Sequence, residues 1–451
     1  MNVILKNGLP DVHYTVVGLG KTGLSCTRFL AKRGLQVSVV DSRNTPPGLA
    51  ELQAEYPEMV IHTGGFDAAT MSDSDILVVS PGISIKEPAI QAAHDAGAEL
   101  VGDVELFARL AKAPVIAITG SNGKSTVTDL LGEMAKASNK RVGVGGNIGT
   151  PVLELLDDKY ELYVLELSSF QLETTHSLNA VAGTVLNISA DHMDRYDSLD
   201  EYAAAKQSIF RGDGVMVINA DDTVVADMAE PGRKIIRFSL HHPVEGDYGL
   251  LTQSGENWLA KGAEPLMSVD ELKLPGRHNQ ANALAALALG DAVGLERAAM
   301  LKALQNYAGL SHRTQWVAKI NGVDWYNDSK GTNVGATVAA IAGLDEKLIL
   351  IAGGEGKGAD FSPLKDAVRD KVEAVILIGR DARKIADVLA ECVAVSFADT
   401  MEEAVELAAQ KATAGMSILL SPACASFDMF DSYGHRGEVF MQAVKRLSND
   451  N

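Results

Sequence analysis

The chain has 451 residues, 46% hydrophobic and 22% charged, an ordinary globular composition with material for about three domains. Forty lysines and arginines against 59 aspartates and glutamates give a net charge of −19, which argues against a nucleic-acid or anionic-membrane binder, since both need a basic field. Three scattered cysteines, Cys26, Cys392 and Cys424, without CxxC spacing, support neither a disulfide framework nor structural zinc.

The opening residues lack the pattern of a secretory leader, and no apolar run reaches the about 18 residues of a membrane span. A cytoplasmic location without membrane insertion is therefore expected. Residues 14–18 (YTVVG) enter GLGKTG, a helical stretch follows to about Arg33, and QVSVVD ends at Asp41. Strand, glycine turn, helix and strand open a doubly wound α/β unit. A third run, DILVVSPGI, ends in the turn Ser80-Pro81-Gly82.

A second lobe starts with APVIAITG, which leads into SNGKST and a helix. The runs at 161–169 (ELYVLELSS) and 180–189 (AVAGTVLNIS) read as further buried parallel strands. GVMVIN and the alanine-rich helix HNQANALAALALGDAVG follow, and the pattern breaks around Gly309-Leu310-Ser311. The third lobe alternates the apolar runs VDWYND, KLILIAGG, AVILIG and SILLSP with helical spacings such as KIADVLAECV and TMEEAVELAAQKA. Three α/β domains are expected, at 1–103, 104–309 and 310–451.

Gly18-x-Gly20-x-x-Gly23, followed by Asp41, permits close approach of a diphosphate to a helix N-terminus, and the acid can bind a sugar hydroxyl. NAD and a UDP-sugar both present a diphosphate, so the nucleotide stays open; the bland alternative is a glycine turn serving helix packing. In Gly120-Ser121-Asn122-Gly123-Lys124-Ser125-Thr126, amides and helix dipole face a phosphate and Lys124 reaches its β and γ oxygens. Ser125 or Thr126 can offer a hydroxyl to Mg²⁺. Ile118 stands where the general P-loop has its first glycine.

Glu166 and Asn187 end apolar runs, and Asp191-His192-Met193-Asp194 follows. Ligands of parallel sheets gather outside the carboxyl ends of strands, so Glu166 and His192 point to metal or γ-phosphate binding. Alone, His192 would read as structural and Lys206 as a solvated helix lysine. Asn279 reads as a helix N-cap, or with Asn282 on the same face as a base or phosphate ligand. His312-Arg313, Asp328-Ser329-Lys330-Gly331-Thr332-Asn333, Gly353-Gly354-Glu355-Gly356-Lys357 and residues 421–426 (SPACAS) occupy loops, suggesting an anion pocket facing the ATP lobe.

In this order, Gly-Ser-Asn-Gly-Lys-Ser-Thr, Glu166, Asp-His-Met-Asp, His-Asn-x-x-Asn, His-Arg and Asp-Ser-Lys-Gly-Thr-Asn resemble the Mur ligase family, ATP-dependent amide-forming enzymes of peptidoglycan synthesis. GLGKTG, the segment 41–47 (DSRNTPP), Ser80-Pro81-Gly82-Ile83, GKGADFSP and SPACASFD look like the member that adds D-glutamate to UDP-N-acetylmuramoyl-L-alanine (UDP-MurNAc-L-Ala). The Asp-Asn-Pro-Arg signature of many diaminopimelate-adding relatives is absent. The resemblance implies a Rossmann-like N-terminal domain, a central P-loop domain with a mainly parallel sheet, and a Rossmann-like C-terminal domain.

It further implies that Gly18, Lys21, Thr22, Asp41, Ser42, Arg43, Gly82 and Asn147 hold the UDP substrate. Asn122, Gly123, Lys124, Ser125, Thr126, Asn279, Asn282, Arg313 and Asp328 would hold ATP. Ser125, Glu166, His192 and a carbamylated Lys206 would organise two Mg²⁺ ions, with Mn²⁺ as a substitute. Lys330, Thr332, Lys357, Ser426, Phe427 and Tyr433 would meet D-glutamate, Tyr433 standing where relatives are expected to carry phenylalanine. Lys124, Glu166, His192, Lys206 and Lys330 become the catalytic candidates, in a monomer that makes an acyl phosphate and then a tetrahedral intermediate, releasing ADP and phosphate. Alternatives are a family ligase for another amino acid, an NAD-dependent oxidoreductase and an ATP-gated binding protein.

Overall fold

The computed structural model describes residues 4–449 apart from Pro275 and Asp345. Three α/β lobes follow one another along the chain, each on its own main sheet. In the first, five parallel strands lie in the order Val60–Thr63, Gln36–Asp41, His13–Val17, Ile76–Val79 and Glu99–Val101. The strand order reverses direction beside His13–Val17, where such sheets open a ligand crevice.

The parallel part of the central sheet runs Ile235–Phe238, Val215–Asn219, Ala182–Val185, Val115–Thr119, Leu162–Glu166 and Val142–Gly146. Its three middle strands are buried at every residue, between apolar clusters on both faces. Such strands must read as continuous apolar runs. The sheet then continues as an antiparallel meander, Tyr248–Gln253, Glu256–Lys261 and Glu264–Ser268. Continuous apolar runs do not reveal it, because each of its strands mixes buried residues with exposed polar ones. Its turn does: Ser254 and Gly255 both take positive φ, as a two-residue hairpin loop requires.

The third sheet orders Gln315–Ile320, Val323–Asn327, Ser417–Leu420, Leu348–Gly353, Val372–Ile378 and Ala394–Phe397, all parallel except the first. That first strand pairs through Asn321-Gly322, again with positive φ at both residues.

One apolar cluster runs from Tyr14 and Val16 in the first sheet, through Val104 and Phe107, to Tyr163 and Leu165 in the central one. Phe107 meets Tyr163 edge to face at 4.9 Å, and the Gly102 amide donates to the Thr174 carbonyl across the same seam. The first two lobes form one packed body. The third keeps its apolar clusters to itself and reaches the phosphate loop through polar groups. Arg313 Nη2 donates to Ser125 Oγ at 2.6 Å, and Asn333 Nδ2 donates to Asn122 Oδ1 and Asp191 Oδ2.

The glycine turn of the first lobe contains a sharp internal contrast. A Cβ on Gly23 would lie 1.8 Å from the Gly18 carbonyl oxygen, whereas one on Gly20 meets nothing within 4 Å. Gly23→Ala should therefore destabilise the first lobe by about 2–3 kcal/mol or more, as overpacking does, while Gly20→Ala stays near the parent. Calorimetric unfolding of both variants checks this contrast.

Candidate active site

Strand Val115–Thr119 ends in the phosphate loop, and Gly123, at φ +83°, opens helix Lys124–Ala137. A Cβ on Gly123 would lie 2.5 Å from Asn282 Oδ1, so the turn and the approach of Asn282 both require glycine. The Asn122 amide donates to Asn187 Oδ1 at 2.8 Å, and Asn187 Nδ2 donates back to the Asn122 carbonyl at 3.1 Å. Lys124 Nζ donates to the Gly120 and Ser121 carbonyls at 2.7 and 2.8 Å. Burial lowers the proton affinity of Lys124, with Glu166 and Asp191 opposing and Arg313 reinforcing.

Glu166 closes the adjacent strand and is 2% exposed. Its Oε1 accepts from Asn147 Nδ2 at 2.7 Å; its Oε2 is buried with no hydrogen-bond partner. A desolvated carboxylate oxygen of this kind favours a neighbouring cation. Lys206, on helix Leu199–Gln207, is 1% exposed and donates to the Gly120 carbonyl at 3.0 Å. Burial, then the charge of Lys124, pushes its amine well below the ordinary lysine range. It is no solvated helix lysine.

His192 is held at φ +58°, its ring edge-on to Phe170 at 4.8 Å. Burial lowers its proton affinity, against Asp191 and with Lys357, which favours the neutral imidazole a metal ligand needs. The Ser125 and Glu166 oxygens are hard donors of the type Mg²⁺ takes. Among the described residues, no group of three or more His, Cys, Asp or Glu could hold a metal ion.

A cavity of about 300 Å³ beside the loop is walled by Asn122, Gly123, Thr126, Asn279 and Asn282, and across the lobe junction by Arg313, Asp328 and Lys330. Asn279 is not the N-cap of helix Arg277–Ala292, a position that Gly276 takes; it lies in the first turn, with Asn282 Nδ2 3.4 Å from its Oδ1. Pro275 of the same motif lies outside the described residues. Asp328 accepts from the Thr314 amide and Ser421 Oγ, while burial pushes its carboxyl up to about 6. Burial, then Arg313, brings the Lys330 amine down to about 8, and its Nζ sits 3.8 Å from the Tyr433 ring centroid.

A second cavity, about 550 Å³, lies between the first two lobes, and Gly18, Lys21, Thr22, Ser42, Arg43, Gly82 and Asn147 reach its wall. Asp41 does not. Its oxygens accept from the Leu19 amide at 2.7 Å, from the Arg43 amide at 2.8 Å and from the Arg43 guanidinium at 2.6 and 2.9 Å. Burial alone would raise its carboxyl, but these donors bring it down to about 2. Asp41 thereby aims Arg43, which does reach the cavity wall.

Lys330, Lys357 and Ser426 stand on loops that follow three adjacent parallel strands, Val323–Asn327, Leu348–Gly353 and Ser417–Leu420. Lys357 is held at φ +51°, Ser426 is buried, and the Thr332 amide donates to the Lys330 carbonyl at 2.8 Å. Phe427, by contrast, is 69% exposed and Tyr433 38%. The structure brings Tyr433 to Lys330 but leaves Phe427 at the surface.

Comparison with known proteins gives three matches along the chain: "Mur ligase MurD-like, N-terminal domain" at 12–102, "Mur ligase middle domain" at 118–290 and "Mur ligase, glutamate ligase domain" at 312–424. UDP-N-acetylmuramoylalanine--D-glutamate ligase from Nitrosococcus oceani is 58% identical, with 96% of both chains covered. The chain belongs to the Mur ligase family. The ligase of the same name from Methylobacillus flagellatus is 54% identical over 97% of this chain and 98% of its own. Among solved structures, UDP-N-acetylmuramate-alanine ligase MurC from Thermotoga maritima shares the fold at TM-score 0.61 and 20% identity, covering 98% of this chain and 100% of its own. The three-domain α/β Mur ligase architecture is thus established.

Several contacts at this site escaped the sequence reading, which gives Asn147 only to the UDP substrate. Asn187 clamps the phosphate loop, Asn147 orients Glu166, and Asp191 with Asn333 bridges the second and third lobes. Asp191 and Asn333 lay inside motifs already marked, but only the juxtaposition of two lobes reveals their pairing.

The Asp41 network gives a pH-dependent test. A folded carboxyl near 2, against the ordinary 3.8, stabilises fully above about pH 4 and loses that contribution as pH falls toward 2. Asp41→Asn should cost about 2 kcal/mol at pH 7, with the gap from the parent closing by pH 2–3. Denaturant unfolding across that range measures it.

Proposed function

We propose that this protein joins the L-alanyl carboxylate of UDP-MurNAc-L-Ala to the amine of D-glutamate at the expense of ATP, in the synthesis of peptidoglycan precursors. The 58% identical relative carries the name of this ligase across nearly its whole length. The observation that carries the geometry is Asn147: it reaches the wall of the first-lobe cavity and also hydrogen-bonds Glu166 beside the phosphate loop. The acid end of a nucleotide lying in that cavity is thereby led toward the ATP phosphates.

A carboxylate is a poor electrophile, because amide formation would have to expel oxide. Attack of one carboxylate oxygen on the γ-phosphorus releases ADP and leaves an acyl phosphate. Attack of the D-glutamate amine on its carbonyl gives a tetrahedral oxyanion, which expels phosphate carrying that same oxygen. The obstacle is charge: two unit charges at 4 Å repel by ~4 kcal/mol at an effective dielectric near 20. Lys124 on the β and γ oxygens, Arg313 from the third lobe and Lys330 oppose that repulsion.

Glu166, Ser125 and His192 would hold Mg²⁺, which supplies further neutralisation of the phosphate charge. Lys206 would join them as a carbamate. Its burial favours the unprotonated amine, the form that adds to carbon dioxide, and the carbamate replaces a cation by an anionic oxygen ligand. Two ions are our reading of the count, Mn²⁺ serving in place of Mg²⁺. Lys330, Lys357, Thr332 and Ser426 would bind the carboxylates of D-glutamate. Asn279, Asn282 and Asp328, in the wall of the cavity beside the phosphate loop, would bind ATP. We take the domains as 1–103, 104–309 and 310–451, and the enzyme as a cytoplasmic monomer; no described helix is long and apolar enough to cross a membrane.

Two measurements test this reading. With ATP–Mg²⁺ and UDP-MurNAc-L-Ala, a screen of D- and L-amino acids should show phosphate release with D-glutamate, and Lys124→Met should lower it at least about 10²-fold. Release that needs no nucleotide substrate, or that favours another amino acid, contradicts the assignment. Lys206→Ala should lose most activity and regain part of it with added short carboxylates. Little loss at saturating Mg²⁺, with no rescue, removes the carbamate role.

A further inference from the structure

We infer that Arg195 is a positioning residue that transmits binding of the nucleotide half of the substrate, in the first lobe, to the loop that carries His192 in the second. The inference rests on the functional reading above. Arg195 lies on the second lobe just beyond Asp194, yet its guanidinium closes on the first. Nη1 donates to the Pro81 carbonyl at 3.1 Å and Nη2 to the Ile83 carbonyl at 2.8 Å. These carbonyls flank Gly82, in the wall of the nucleotide cavity.

Nη2 also donates to Glu173 at 3.0 Å, and with side chains only 13% and 12% exposed the pair is desolvated. On its other side the guanidinium carbon sits 4.3 Å from the Phe170 ring centroid. That ring in turn packs edge-on against His192 at 4.8 Å. The Arg195 amide donates to the His192 carbonyl at 2.9 Å, closing the turn that keeps His192 in its left-handed conformation. One side chain thus touches the cavity wall, the aromatic support of His192 and Glu173 on the helix that begins just after Glu166.

Only a planar, multiply donating cation can span two carbonyls and a carboxylate while lying on an aromatic face; a lysine ammonium cannot. Lys86 bridges the same seam to Asp197 and Glu201, but Lys86 itself is 52% exposed and Asp197 91%, so these bridges contribute little. Binding energy gained at a remote part of a substrate accelerates a reaction only if it orients the reacting end. Arg195 is the built connection through which the uridine diphosphate can do so.

The test compares the full nucleotide with MurNAc-L-Ala lacking the uridine diphosphate, in single-turnover ADP release with the intact enzyme. Arg195→Met should lower kcat/KM for the full substrate about 10- to 100-fold, but for the truncated one less than about threefold. Arg195→Lys should fall between. Lys86→Met should leave both rates within about twofold of the parent. If the parent enzyme turns the truncated substrate over too slowly to measure, calorimetry decides. The inference then expects kcat on the full substrate to fall while the dissociation constant for UDP-MurNAc-L-Ala stays within about threefold.

Equal losses on both substrates, a loss confined to nucleotide affinity, or no loss would overturn it. Failure of the functional reading is distinguishable, because the unsubstituted enzyme would then release no ADP with UDP-MurNAc-L-Ala and D-glutamate.

Discussion

Two anions have to meet inside this protein, a carboxylate and a triphosphate, and much of the site answers their repulsion. The answer is cationic groups taken out of water. Lys124 and Lys330 are both lowered in proton affinity first by burial, and Glu166 keeps one oxygen unsatisfied beside them. In water such groups would be screened and weak; in a desolvated pocket each acts strongly on a phosphate or carboxylate. The net charge of −19 is no obstacle, because the field that matters is set locally by loops at the carboxyl ends of parallel strands.

The lobes divide that task mechanically. The first and second share an apolar seam through Phe107 and Tyr163 and behave as one body. The third reaches the phosphate loop through Arg313 and Asn333, and polar pairs of this kind can exchange partners. Arg313 spends a donor on Ser125 Oγ, the hydroxyl proposed above for Mg²⁺, and that bond would have to be given up if the ion took the hydroxyl. The contacts thus divide into an apolar seam joining the first two lobes and polar pairs joining the third to the phosphate loop.

Much of this was legible from the chain. SNGKST, Glu166 and the polar ends of the apolar runs fixed the phosphate side, because buried parallel strands and glycine turns leave clear patterns. The antiparallel meander at 248–268 and the edge strand Gln315–Ile320 leave no such pattern, since their strands mix buried and exposed residues; Asn321-Gly322 is the readable signal for the second. Asp41 shows what a local pattern leaves out. Its place after the glycine motif suggests a sugar ligand, and nothing local announces that Arg43 and the Leu19 amide will claim its oxygens. Lys206 was distinguished from a surface lysine by resemblance alone, and burial supplies the physical ground. Arg195 and Asn333 act between lobes, which no local pattern encodes.

The account stands on transfer of phosphorus to the substrate acid, and oxygen tracing tests that most directly. UDP-MurNAc-L-Ala labelled with ¹⁸O in its carboxylate would be turned over with ATP and D-glutamate, and the released phosphate examined by mass spectrometry. An acyl phosphate requires one labelled oxygen in each phosphate formed alongside a peptide bond. Unlabelled phosphate, with the amide made in equal amount, would contradict it.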